Sequence, residues 1–65
     1  MSFSWTYLDE GGRDVGRSES FADRLAAEDW MGQAWEELRQ RGVEEVALED
    51  EDRARRVYRM SLREA

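Results

Sequence analysis

A chain of 65 residues with 16 acidic and 10 basic side chains has a formal charge of −6. That length makes one small domain, which buries only about 60% of its unfolded surface. It contains no Cys, His or Pro, which excludes a disulfide staple and a Cys/His zinc site.

Phe3-Ser4-Trp5-Thr6-Tyr7-Leu8 alternates large apolar with small polar residues, and the pattern predicts a strand. Phe3, Trp5 and Tyr7 share one face; Ser4, Thr6 and Leu8 share the other. Gly11-Gly12 between Glu10 and Arg13 predicts a two-residue hairpin turn, with Glu10 opposite Arg13 and Leu8 opposite Val15. A weak second strand then runs from Arg13 to about Arg17.

Ser20 reads as a helix N-cap, with Asp23 three residues on. The helix is expected from Phe21 to about Arg41. Ala27, Trp30, Met31, Ala34, Trp35 and Leu38 fall within one broad apolar stripe, opposite Asp29, Gln33, Glu36 and Gln40. Gly42 suits the left-handed residue that ends a helix, and Val43 is then placed to touch Leu38. Gly32 weakens the helix by about 1 kcal/mol relative to alanine.

Val43 to Glu49 alternates again, with Val46 and Leu48 on one face. Arg56 to Leu62 does the same, with Tyr58, Met60 and Leu62 inward and Val57, Arg59 and Ser61 outward. Matching these faces favours a three-residue loop of Glu51-Asp52-Arg53, which sets Val46 against Tyr58, Glu49 against Arg55 and Glu45 against Arg59. The expected architecture is a single domain over residues 1–65 of the α+β class. It has ββαββ order, with the helix across one face of a four-stranded antiparallel sheet. Thr6, Leu8, Ala47, Val57 and Arg59 are expected on the uncovered face, where a homodimer could form.

All ten basic residues are Arg, and Lys, Ile and Asn are absent. Those three have AT-rich codons, so a GC-rich genome explains the bias without invoking guanidinium chemistry. Ser4-Trp5-Thr6-Tyr7 with Asp9-Glu10-Gly11-Gly12-Arg13, and Val57-Tyr58-Arg59-Met60, resemble segments of short uncharacterised proteins of GC-rich actinobacteria; the resemblance implies no activity. The tail Ser61-Leu62-Arg63-Glu64-Ala65 is similar to that of the MbtH-like family, small partners of adenylation enzymes. That family's Ser-x-Trp-Pro and Pro-Gly-Trp motifs are missing here, and the five-residue match is read as chance.

Catalytic chemistry is not expected. His and Cys supply most general bases and thiol nucleophiles at neutral pH, and Lys supplies Schiff bases; none is present. Asp50-Glu51-Asp52 lacks the glycine and the closing glutamate of a calcium loop and reads as a hairpin tip. Gly11-Gly12-Arg13 matches no phosphate-loop pattern. No cofactor or metal site is predicted. Arg53, Arg55, Arg56, Arg59 and Arg63 form a basic cluster, yet the acids opposite them and the overall negative charge disfavour nucleic acid.

The aromatics remain. Trp30 and Trp35 lie about 140° apart around a helix axis, too far apart for both to point at one sheet. A tryptophan at the edge of the stripe beside charged groups is a typical interface anchor. The candidate partner-binding residues are therefore Phe21, Trp30, Trp35 and Arg59. The expected function is a small acidic non-enzymatic interaction module, an adaptor or regulator. The alternative is an acidic nucleic-acid mimic presenting Glu28, Asp29, Glu36 and Glu37 to the basic cleft of a DNA- or RNA-binding protein. No apolar run approaches the ~20 residues of a membrane span, and no basic start leads into an apolar stretch, so a cytoplasmic location is expected.

Overall fold

A computed structural model describes residues 2–64. Four strands, β1 (Phe3–Leu8), β2 (Asp14–Arg17), β3 (Glu45–Asp50) and β4 (Arg55–Ser61), form one antiparallel sheet. A single helix, α1 (Arg24–Gln40), separates the two hairpins, and a short 3₁₀ turn at Leu62–Glu64 follows β4. The order across the sheet is β2-β1-β3-β4, so the first strand pairs with the third across the helix. This is the α+β, ββαββ arrangement that the patterning predicts.

The apolar alternation sets the faces. Phe3, Trp5, Val46, Leu48 and Leu62 are buried beneath Ala27, Met31 and Leu38 of the helix, with Tyr7, Tyr58 and Met60 partly buried around them. Trp5 is fully enclosed, and its indole N–H donates to the Ala27 carbonyl at 2.9 Å. That bond removes the desolvation cost of burying the indole.

The helix starts later than the sequence suggests. Phe21 is extended rather than helical: its N–H donates to the Phe3 carbonyl at 2.7 Å and its carbonyl accepts from the Phe3 N–H at 2.9 Å. Asp23 is the N-cap, and its carboxylate accepts from the Ala26 N–H at 2.8 Å. Ser20 instead donates to Glu51 at 2.8 Å. Asp23→Ala is therefore expected to lower stability by about 1 kcal/mol, because it strips the cap from an otherwise unsatisfied N–H. Ser20→Ala, which loses only an exposed side-chain bond, is expected to cost less; paired urea melts of the two variants check the order.

The helix C-terminus follows the expected motif. Gly42 takes φ +95°, the Gly42 N–H donates to the Arg39 carbonyl and the Val43 N–H to the Leu38 carbonyl, each at 3.1 Å. Val43 and Leu38 are both in the core.

Both hairpins depart from their simplest forms. In the first, the loop is Glu10-Gly11-Gly12 rather than Gly11-Gly12. The Asp9 N–H donates to the Arg13 carbonyl, the Gly12 N–H donates to the Asp9 carbonyl, and Gly12 sits at φ +80°. This is a three-residue turn with glycine at its left-handed position. The added residue pairs Leu8 with Asp14, and a bulge at Val15 then restores Tyr7↔Gly16 and Thr6↔Arg17. Leu8 thus faces Asp14 and not Val15, which is left 53% exposed.

In the second hairpin four residues, Glu51 to Ala54, connect the strands. Asp50 Oδ1 accepts from the Asp52 and Arg53 N–H groups, and Ala54 takes φ 52°. A bulge places Val57 as the extra residue between the pairs Glu49↔Arg56 and Leu48↔Tyr58. Val46 therefore faces Met60 and not Tyr58, and Glu49 and Glu45 face Arg56 and Ser61 in place of Arg55 and Arg59. Away from the turn the shift is two residues, so every inward side chain stays inward. Val57, expected outward, packs against the core cluster.

The face away from the helix is a polar tray. Ser4, Thr6 and Ala47 are buried at its floor. Arg17 reaches Ser4 Oγ at 3.5 Å, Arg56 pairs with Glu49 at 2.8 Å, and Arg59 stands 4.0 Å from Glu45. No helix among the described residues is long and apolar enough to cross a membrane.

Candidate functional site

The helix backbone approaches most closely at β1 and the C-terminal turn, and it meets β4 through the side chains of Arg24, Glu28 and Tyr58. That offset leaves a groove between α1 and β4. It is lined by Trp5, Met31, Trp35, Tyr58, Met60, Gly32 and Glu28, encloses about 270 Å³ and is mainly apolar. Trp5 lies buried beneath the groove, with its ring edge-on to Tyr58 and the centroids 5.9 Å apart. Gly32 lies on the helix lip, exposed and without a side chain.

One end of the groove is closed by a polar clasp. The Tyr58 hydroxyl donates to Glu28 Oε2 at 2.8 Å, and Arg24 Nε donates to the same oxygen at 3.0 Å. The Arg24 guanidinium also lies 5.2 Å from the Tyr58 ring centre. Hydrogen bonds from Arg24 and then Tyr58 hold the Glu28 carboxyl below its ordinary 4.5. Burial, followed by the hydrogen bond to the Glu28 carboxylate and that group's charge, pushes the Tyr58 phenol up to about 12.

The two shifts bound the clasp. A lowered carboxyl contributes stability above its unfolded value and loses it as pH falls through the folded one. A raised phenol contributes fully below pH 10 and loses its contribution as pH rises through about 12. Burial also raises the Tyr7 phenol. Of the two tyrosines in the chain, neither should ionise at the ordinary 10.0. Tyrosinate absorbance against pH is expected to rise late, and Tyr58→Phe to remove the step near 12.

The four residues singled out from the sequence fall in three places. Phe21 and Trp30 stack against each other, centroids 5.4 Å apart, on one flank of the helix stripe. Trp35 lies on the other flank, in the groove. Arg59 is on the polar tray, beside Glu45. Both helical tryptophans are half-buried. Tyr58, Met60 and Met31 were legible only as core residues, and Gly32 only as a weak point in the helix. Their convergence depends on where the helix crosses the sheet.

A larger depression of about 510 Å³ opens on the polar tray, lined by Thr6, Asp14, Arg17, Glu49 and Arg56 among others. Its arginines and carboxylates face one another, and the Arg56–Glu49 pair already satisfies two of its walls. Further along, Arg63 pairs with Glu44 at 2.8 Å and Arg53 with Asp50 at 3.9 Å. Within the basic cluster, Arg56 and Arg59 thus face acids of the neighbouring strand and Arg63 reaches Glu44, while Arg53 pairs locally with Asp50. Among the described residues no three acids converge as metal ligands. Comparison of the chain with models of known protein families, with characterised proteins and with solved structures finds no match.

Proposed function

We propose that this protein is a non-enzymatic interaction module that binds another protein through the α1–β4 groove. The observation that carries the reading is the groove itself: a mainly apolar cleft of about 270 Å³, walled by Trp35, Met31 and Met60 and left uncovered by the helix. It suits one bulky side chain of a partner, the kind of anchor that dominates interface energetics. The absence of His, Cys and Lys from the chain accords with binding rather than turnover.

The test is position-specific cross-linking in the native cytoplasm. A benzophenone side chain replaces Glu36, beside the groove, or Val15, exposed in the first hairpin. A discrete adduct from position 36 alone supports the proposal. Identical adducts from both positions, or none, count against it.

A second reading, an acidic mimic of nucleic acid, draws on Asp29, Glu36 and Glu37, which are exposed on the helix. Glu28 contributes less, since Arg24 and Tyr58 hold it. Under this reading, neutralising Asp29, Glu36 and Glu37 abolishes binding to a basic partner, while filling the groove has no effect.

A further inference from the structure

We infer that the occupant of the groove is a positively charged segment of another protein, which inserts one bulky apolar side chain and lies across Gly32. This rests on the interaction reading above and specifies the partner's chemistry. A Cβ built on Gly32 meets nothing within 4 Å. Nothing in the fold therefore requires glycine there, and alanine would make a more stable helix. What the missing side chain does provide is a low point on the groove's lip, where a partner backbone can approach closely.

Gly32 is one point on a ridge. Leu25, Asp29, Gly32 and Glu36 are spaced four, three and four residues apart, so they line up along the helix beside the groove. Leu25 is 77% exposed, an apolar contact point beyond the groove's end. Asp29 and Glu36 straddle Gly32, are exposed, and make no ion pair among the described residues. Arg24 is committed to Glu28 at 3.0 Å. Arg56 and Arg59 lie on the opposite face of the sheet with Glu49 and Glu45. Arg39 is, among the described residues, the one exposed cation further along this side of the helix. The charge presented around the groove is therefore net acidic, and the whole chain, at −6, attracts a cationic partner at range. The same charge opposes a second copy of this chain, whose acids would meet these acids.

Random twelve-residue peptides displayed on phage are selected on the wild-type protein. The retained peptides are then measured against Gly32→Ala, Gly32→Leu and the double variant Asp29→Asn/Glu36→Gln. The expected consensus has Lys or Arg flanking a single Leu, Phe or Trp. Gly32→Leu should weaken binding at least about tenfold by filling the mouth. The charge variant should weaken it about fivefold, a loss that shrinks in high salt. Both glycine variants should melt higher than wild type, so weaker binding cannot be ascribed to unfolding.

Neutral or acidic peptides that still depend on Gly32 would overturn the charge assignment and leave the interaction reading standing. Peptides indifferent to Gly32→Leu, or no enrichment, would overturn both. Self-association abolished by Gly32→Leu would identify the occupant as a second copy and overturn the inference.

Discussion

Trp5→Ala should leave the chain unfolded or close to it at room temperature. Removing a buried tryptophan costs about 3–5 kcal/mol, and a 65-residue domain has a total stability of only about 3–10 kcal/mol. Trp5 has no exposed surface and touches both layers: its indole bonds the helix at Ala27 and its ring meets Tyr58 of β4. Met31 and Leu48 belong to the same cluster and are themselves buried, so filling the space would draw on side chains already in the core. Trp5→Phe retains most of the apolar volume and loses the N–H donor, for a cost of about 1–3 kcal/mol. Circular dichroism during guanidinium titration measures both. A folded Trp5→Ala variant with a near wild-type midpoint would show that the core is not organised around this residue.

Leu62→Ala is expected to cost about 2–5 kcal/mol, although Leu62 lies only three residues from the end of the sequence. Leu62 is fully buried and belongs to the core cluster. Its N–H donates to the Glu44 carbonyl at 2.9 Å, which fastens the 3₁₀ turn to the entry of β3. The turn closes the core at the end where the helix terminates and Val43 packs. Arg63 is the control. It is exposed, and its pairing with Glu44 is open to water and salt. Arg63→Ala should barely move the melting midpoint, whereas Leu62→Ala should lower it by tens of degrees at most and several at least.

The patterning reveals which side chains point inward and conceals where the helix lies. Alternation marks Phe3, Trp5, Val46, Leu48, Tyr58 and Met60 as one face, and the period of two protects that reading even where the pairing moves by two residues. The last helical turn is legible because Leu38, Gly42 and Val43 form a local motif. The first turn is not. Ser20 reads as the cap by residue type, but the backbone of Phe21 finds partners on Phe3, so Asp23 becomes the cap. The loop at Ala54 escapes notice because a residue other than glycine takes the positive φ there. Trp30 and Trp35 are legible as a split pair from their angular separation. The groove is not legible, because it arises from the offset of α1 toward β1, and no local pattern fixes which strand the helix covers.

The order β2-β1-β3-β4 also bears on how the chain reaches this state. Each hairpin and the helix can form from neighbouring residues, but the central β1–β3 ladder joins residues on either side of the helix, such as Thr6 and Ala47. Its loop-closure entropy is lost before any sheet contact offsets it. Refolding is therefore expected to be limited by this long-range pairing rather than by helix growth, and to be slower than that of a helical bundle of the same length. Truncations at Trp5 or Leu48, which meet across that ladder, should slow refolding as well as speed unfolding, whereas loss of the Asp23 cap should act mainly on the unfolding rate.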